Sequence, residues 1–273
     1  MGKSRSSKKQ TGICKLTRTK GVFVDSHIIP KAFTKPEQPG LPLVQFNSGA
    51  RPIRRWSSWY DPQLVTQSGE SILAAFDTWA VSELRKQKLV WSGWGHNRTL
   101  GTSHHAISGT PWGIRKIEGI NKKSLRMFFL TLLWRAAATT LPEFSEVVLP
   151  DKDLEQLRQM ICMSIVEPIS FYPAYLIQLS TIGIAHNHAV IAQVKEIPSL
   201  DIEMAPRYEP IFRFYFDGLM VHIHRHSSDD GYTNALGNMV VGQDESLIIA
   251  THTYEGSYQK INMELVISES NFS

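Results

Sequence analysis

Cysteine is almost absent from this chain: its 273 residues contain two, Cys14 and Cys162. Two thiols so far apart in sequence give no disulfide framework and suit a reducing compartment. No apolar stretch has the length of a membrane span. The longest, Leu125 to Ala138, is too short and carries Arg126 and Arg135. The polar, basic first residues are not followed by an apolar segment, so no secretory signal is expected. These absences lead to the expectation of a cytoplasmic protein with no membrane partner. They also make the sequons at Asn97 and Asn271 chance matches.

Acidic residues are missing from the start of the chain. Residues 1–20 hold seven of the 29 Lys and Arg side chains (Lys3, Arg5, Lys8, Lys9, Lys15, Arg18 and Lys20) and no Asp or Glu. A basic arm neutralises phosphates without regard to sequence, but the plainer reading is a solvated, frayed terminus. Internal repeats are missing too. What is present is ordinary for a globular protein, 42% apolar and 20% charged, in a chain long enough for one or two domains.

Residues 1–10 read as a disordered basic arm. Residues 11–33 read as a β-hairpin with Val22 and Val24 alternating and the turn at 18–21. Prolines and glycines then make loops as far as Pro62. A helix is expected over 69–86, capped by Ser68, with Ile72, Phe76, Trp79 and Ala80 on one stripe. The Gly/Ser/Thr-rich stretch 91–120 reads as loop with short strands. Asn121 caps a helix over 122–139 that is apolar nearly all round and therefore central. Asp151 caps another over 152–166, with Leu154, Leu157, Ile161 and Ile165 inward. Beyond Pro168, "FRFYFDGLMVHIHRH", "SLIIATHTY" and "KINMELVIS" predict an antiparallel sheet. The fold class is α+β: a small ββα-like module over 11–90, a helical middle over 91–167 and a β-rich part over 168–273.

Chemistry gathers at "FVDSHIIPKAF", residues 23–33. A histidine where a strand ends, stiffened by Ile28-Ile29-Pro30, is a candidate general base, because its pKa near 6.5 suits proton abstraction at neutral pH. The plain alternative is a corner histidine hydrogen-bonded to backbone.

"CKLTRTKGVFVDSHIIPKAF" resembles the first half of the HNH, or ββα-metal, nuclease motif. It looks closer still to a group of bacterial proteins in which a cysteine pair precedes Ser-His-Ile-Ile-Pro. In that group a Cys-Glu-containing helix follows, then a Phe-Phe-x-Ser-x-x-Trp-Arg helix. "GESILAAFDTWA" (69–80) looks like the former, and the segment from Phe128-Phe129 to Trp134-Arg135 looks like the latter. The likeness spans about residues 12–165. It implies His27 as general base, Asp25 or Ser26 beside a metal, and Glu70 and Asp77 on the helix that closes the site. It further implies a divalent ion (Mg²⁺ or Mn²⁺, with Zn²⁺ the alternative), a nucleic-acid substrate with DNA first, and a role in bacterial defence against foreign DNA. The chain departs from the pattern in its knuckle. Only Cys14 remains, Thr17 stands where a partner cysteine would be, and Gly69 precedes Glu70. Asn47 is the candidate middle residue. The rival expectation is a degenerate, non-catalytic ββα module that binds nucleic acid or protein, with the β-rich end as a partner surface.

"ARPIRRWSSWY" places Arg51, Arg54 and Arg55 among Trp56 and Trp59, the mixture a nucleic-acid groove uses. The alternative makes both tryptophans core anchors. His222, His224 and His226 alternate along one strand face, but neighbours there stand about 7 Å apart, which strains a tetrahedral zinc site. The polar face of an edge strand is the preferred reading. His96, His104 and His105 lie in a polar loop that can approach His27. Arg135, in an apolar helix, requires an acidic partner or a phosphate, and an ion pair is the simpler answer.

Overall fold

The computed structural model describes residues 10–35, 42–46, 51–197, 207–225, 233–234 and 236–270. Most of the basic arm, Asn47, His226 and Asn271 lie outside these residues.

Thr11–Ile13 (β1) and Lys20–Val22 (β2) form a short antiparallel hairpin. Its turn comes earlier than the expected 18–21, because Cys14 already bonds across it to Thr19 and Arg18 adopts a left-handed φ of 59°. Ser26–His27 (β3) does not continue this hairpin. It pairs antiparallel with Tyr60–Asp61 (β6), Ser26 opposite Asp61 and His27 opposite Tyr60. Between them lie a one-turn helix, Lys31–Thr34 (α1), and two strands, Leu43–Phe46 (β4) and Ile53–Arg55 (β5).

Gln67–Lys86 (α2) follows β6. Its N-cap is Thr66 rather than Ser68, without a side-chain cap bond. Its fully buried residues are Gly69, Leu73, Ala80 and Leu84, while Ile72, Phe76 and Trp79 pack half-buried against the core. The stripe is thus rotated from the one expected. Lys122–Ala138 (α3) begins as expected, with the Asn121 side chain accepting from the Ser124 amide at 2.9 Å. Leu125 through Ala136 are all buried, so α3 is the central helix. Asp151–Met163 (α4) starts after Pro150, with Asp151 in its first turn rather than capping it. It ends at Ser164, whose left-handed φ of 55° leaves Ile165 exposed.

The sheet is larger than the C-terminal part alone. His105–Ala106 (β7), Trp112–Ile117 (β8), Ala174–Leu179 (β9), His186–Ile197 (β10), Arg207–Phe216 (β11), Leu219–His224 (β12) and Leu247–His252 (β13) join β4 and β5 in the order β5-β4-β10-β11-β12-β9-β13-β8-β7. All pairings are antiparallel except β4–β10 and β9–β13. The last segment expected as strand, "KINMELVIS", is helical within Tyr258–Ser270 (α5). One sheet face carries Phe212, Phe214, Phe216, Val221 and Ile223 in the main core with α3. Phe216 stacks on Phe33 at 5.1 Å and meets Phe128 edge-on. The period-two alternation puts Arg213, Tyr215, His222 and His224 on the other face, also buried. β12 is therefore an internal strand, not the edge strand expected, and His224 lies 3.1 Å from the Glu209 carboxylate. Among the described residues no helix is long and apolar enough to cross a membrane.

A candidate active cleft around His27

β3 is two residues long, and Pro30 turns the chain into α1, so His27 stops where strand becomes corner. Ile28 and Ile29 are fully buried and pin the corner, while His27 stays half-buried. Burial, Lys31 and Arg135 together hold the His27 pKa below its ordinary value, outweighing Asp25 and Asp77. The ring is thus neutral at pH 7, as a base must be.

α2 supplies the opposite wall. His27, Glu70, Asp77, Lys31 and Arg85 all line one cleft of about 500 Å³. Glu70 sits in the first turn of α2, where Thr66 leads in as extended chain. Burial raises its carboxyl above the usual range, against the lowering influence of nearby Ser26 and Arg135. Glu70 Oε2 and the fully buried Ser26 hydroxyl both lack a hydrogen bond of normal geometry, although they lie close enough to affect each other. Glu70 lines the cleft, whereas Ser26, a neighbour of its carboxylate, is not among the lining residues.

Asp77 is otherwise engaged. Arg135 of α3, 1% exposed, grips it with two hydrogen bonds of 2.6 and 2.9 Å and gives a further 2.9 Å bond to the His27 carbonyl. The ion pair expected for Arg135 is present, and it ties up one carboxylate expected beside the metal. Asp25 is exposed and is not among the cleft-lining residues. Among the described residues no group of three or more His, Cys, Asp or Glu is arranged to hold a metal ion.

Cys14, Thr17 and Gly69 converge on one packed corner. The Thr17 amide donates to Cys14 Sγ at 3.4 Å, and a Cβ on Gly69 would lie 2.6 Å from that sulfur. Burial raises the Cys14 thiol, but hydrogen bonds from Thr17 and Thr66 outweigh it and leave the pKa below its usual value.

The arginine-tryptophan stretch divides. Arg51, Arg54 and Arg55 are exposed, Arg54 and Arg55 on the edge strand β5, and Arg55 pairs with Glu143 at 3.2 Å. Trp59 is only 4% exposed and packs edge-on against Phe144, so a base cannot stack on it without opening the core. Trp56 is 64% exposed and lines a second, larger recess. His96 lines that recess as well, while His104 and His105 are not among the residues lining either cavity. Sequence reasoning missed Lys31, Arg85 and Arg98, cations around these cavities. Lys31, directly after the His-Ile-Ile-Pro corner, was the one with a local signal.

Comparison of the chain with protein-family models, with curated proteins and with solved structures finds no match in any of the three.

Proposed function

We propose that this protein is an HNH-like, metal-dependent nuclease that hydrolyses phosphodiester bonds at the His27 cleft. The observation that carries the reading is the convergence of His27 from β3 and Glu70 from α2 on one open cleft edged by the cations Lys31 and Arg85. The half-buried, neutral imidazole of His27 takes a proton from water. Lys31 and Arg85 attract the phosphate backbone and favour the added negative charge as water attacks. Arg135 orients the corner through the His27 carbonyl.

The Glu70 carboxylate, with the Ser26 hydroxyl close to it, suits a hard divalent cation, which keeps several waters and needs only one or two protein oxygens. Glu70, with Ser26 beside it, would hold such an ion. When bound, Mg²⁺ or Mn²⁺ would supply Lewis-acid stabilisation of the scissile phosphate and its leaving oxygen.

The rival reading, a non-catalytic binding module, draws on one observation: the commitment of Asp77 to Arg135 leaves Glu70, among the described residues, the only cleft carboxylate outside an ion pair. Plasmid nicking separates the two readings. His27→Ala is expected to lose about 10²–10⁴ in rate, and Glu70→Gln to lose its response to divalent ions, both with unchanged melting temperature. Wild type inert on DNA and RNA with Mg²⁺, Mn²⁺ and Zn²⁺ would overturn the nuclease and leave the binding module.

A further inference from the structure

Beside the His27 cleft lies a recess of about 850 Å³, and the two cavities share Lys31, Ala32 and Arg85 in their walls. They are neighbouring parts of one trough. We infer that the larger recess receives one or two unpaired nucleotides flanking the scissile phosphate, so that single-stranded nucleic acid is the substrate class. This deepens the nuclease reading and rests on it for the place of cleavage.

Charge is the first argument. Among the described residues, the recess is lined by four cations, Lys31, Lys35, Arg85 and Arg98, and by one carboxylate, Asp217. That carboxylate already accepts from the amide and the hydroxyl of Ser92. Arg85 is fixed in place, giving Nε to the Ser92 hydroxyl at 3.0 Å and Nη2 to the Ala32 carbonyl at 3.1 Å. A guanidinium held this way meets a phosphate without first losing side-chain freedom.

Stacking is the second argument. The Trp56 indole lines the recess while remaining 64% exposed. A tryptophan face beside a row of cations is the combination that binds unpaired bases without sequence preference.

Size is the third. Cavities of about 300–1,000 Å³ enclose ligands of nucleotide dimensions. A duplex, whose major groove alone is about 12 Å wide, is too broad to enter, whereas an unpaired or extruded nucleotide is not. Trp56 therefore sits where a base would stack while its phosphate reaches Lys31 and Arg85 at the boundary with the His27 cleft.

The experiment is fluorescence anisotropy in EDTA at low salt, with labelled oligothymidylate and a labelled blunt hairpin duplex as probes. Wild type and His27→Ala are expected to bind the single strand at least about tenfold more tightly than the duplex. Trp56→Ala should weaken single-strand binding about tenfold and Trp56→Phe should restore most of it. Arg98→Ser should reduce the salt slope by about one. Equal or tighter binding of the duplex overturns the inference. So does unchanged single-strand affinity in a Trp56→Ala protein with wild-type melting temperature. Because EDTA removes any need for cleavage, the two readings fail separately. A protein that prefers single strands yet never cleaves loses the nuclease reading and keeps the recess. One that nicks duplex without preference keeps the nuclease and loses the recess.

Discussion

Arg135 and Asp77, 58 residues apart in sequence, meet through two hydrogen bonds of 2.6 and 2.9 Å, and the same guanidinium holds the carbonyl of His27. One buried side chain therefore joins the central helix, the helix carrying Glu70 and the corner carrying the candidate base. Arg135→Ala would leave Asp77 and that carbonyl without a partner. We expect a loss of about 3–5 kcal/mol, the scale for breaking a buried pair from one side, measured by urea denaturation. Arg135→Lys should recover only part, since an ammonium cannot reproduce the fork. A loss below about 1 kcal/mol for Arg135→Ala would show that the pair does not organise the cleft.

Gly69 has no room for a side chain. An added Cβ would lie 2.6 Å from Cys14 Sγ and 2.9 Å from the Val65 Cβ. Gly69→Ala should destabilise by about 1–3 kcal/mol, as overpacking does. Cys14→Ala combined with Gly69→Ala should be less destabilised than the two effects added together, because the sulfur that clashes is gone. Additive losses in denaturant titrations would place the strain elsewhere.

The same corner makes a prediction about chelators. Cys14, Val65 and Gly69 are buried against one another. EDTA should abolish nicking while moving the melting temperature by less than about 2 °C, whereas loss of a structural zinc unfolds small zinc modules outright. A large fall on chelation would mean that a metal holds the fold.

Acid should destabilise the protein through its buried histidines. Burial depresses His186, drives His188 down to about 4 and puts His222 well below its ordinary value. Each is neutral when folded but takes up a proton near pH 6.5 when unfolded. Their contribution is therefore complete above about pH 6.5 and shrinks as pH falls below it, towards the folded values. Melting temperature should decline steadily from neutral pH to about pH 4.5. A flat profile would contradict the burial of these rings.

Arg51 and Arg54 are exposed, and Arg54 lies on the edge strand β5, whereas Arg55 is paired with Glu143. Neutralising Arg51 and Arg54 should flatten the salt dependence of DNA binding by about one unit of slope each, with a smaller change for Arg55. Anisotropy over a salt series tests this, and an unchanged slope would remove the patch from the interface.

The sequence made local features legible and pairing choices not. The cap at Asn121, the apolar continuity of α3 and the alternation in β11 and β12 are written within a few residues each. Leu73 and Leu84 of α2 enter the same core as α3, a choice with no local signature. In "RRWSSWY" the two tryptophans look alike, and only the turn into β6 decides that Trp59 enters the core while Trp56 does not. The resemblance singled out His27, Glu70 and Asp77, which line one cleft, and Asp25 and Ser26, which are not among its lining residues. The larger recess was not legible, since its walls come from residues 31–35, 43, 56, 85–98, 182–186 and 215–217. Arg135 announced its need for a partner, but tertiary packing alone selected Asp77.

The parallel pairing of β4 with β10 has a consequence for the order of assembly. Val44, Gln45 and Phe46 meet His186, Asn187 and His188, so the strand beside the arginine edge waits for residues more than 140 positions later in the chain. Such distant closure is slow compared with helix formation. As the chain is synthesised, the histidine corner and its helices can form well before Ala185, His186, Tyr215 and Asp217 arrive to close the recess. The growing polypeptide therefore carries His27 and Glu70 before it has the larger recess, whose walls are complete only once residue 217 has been made.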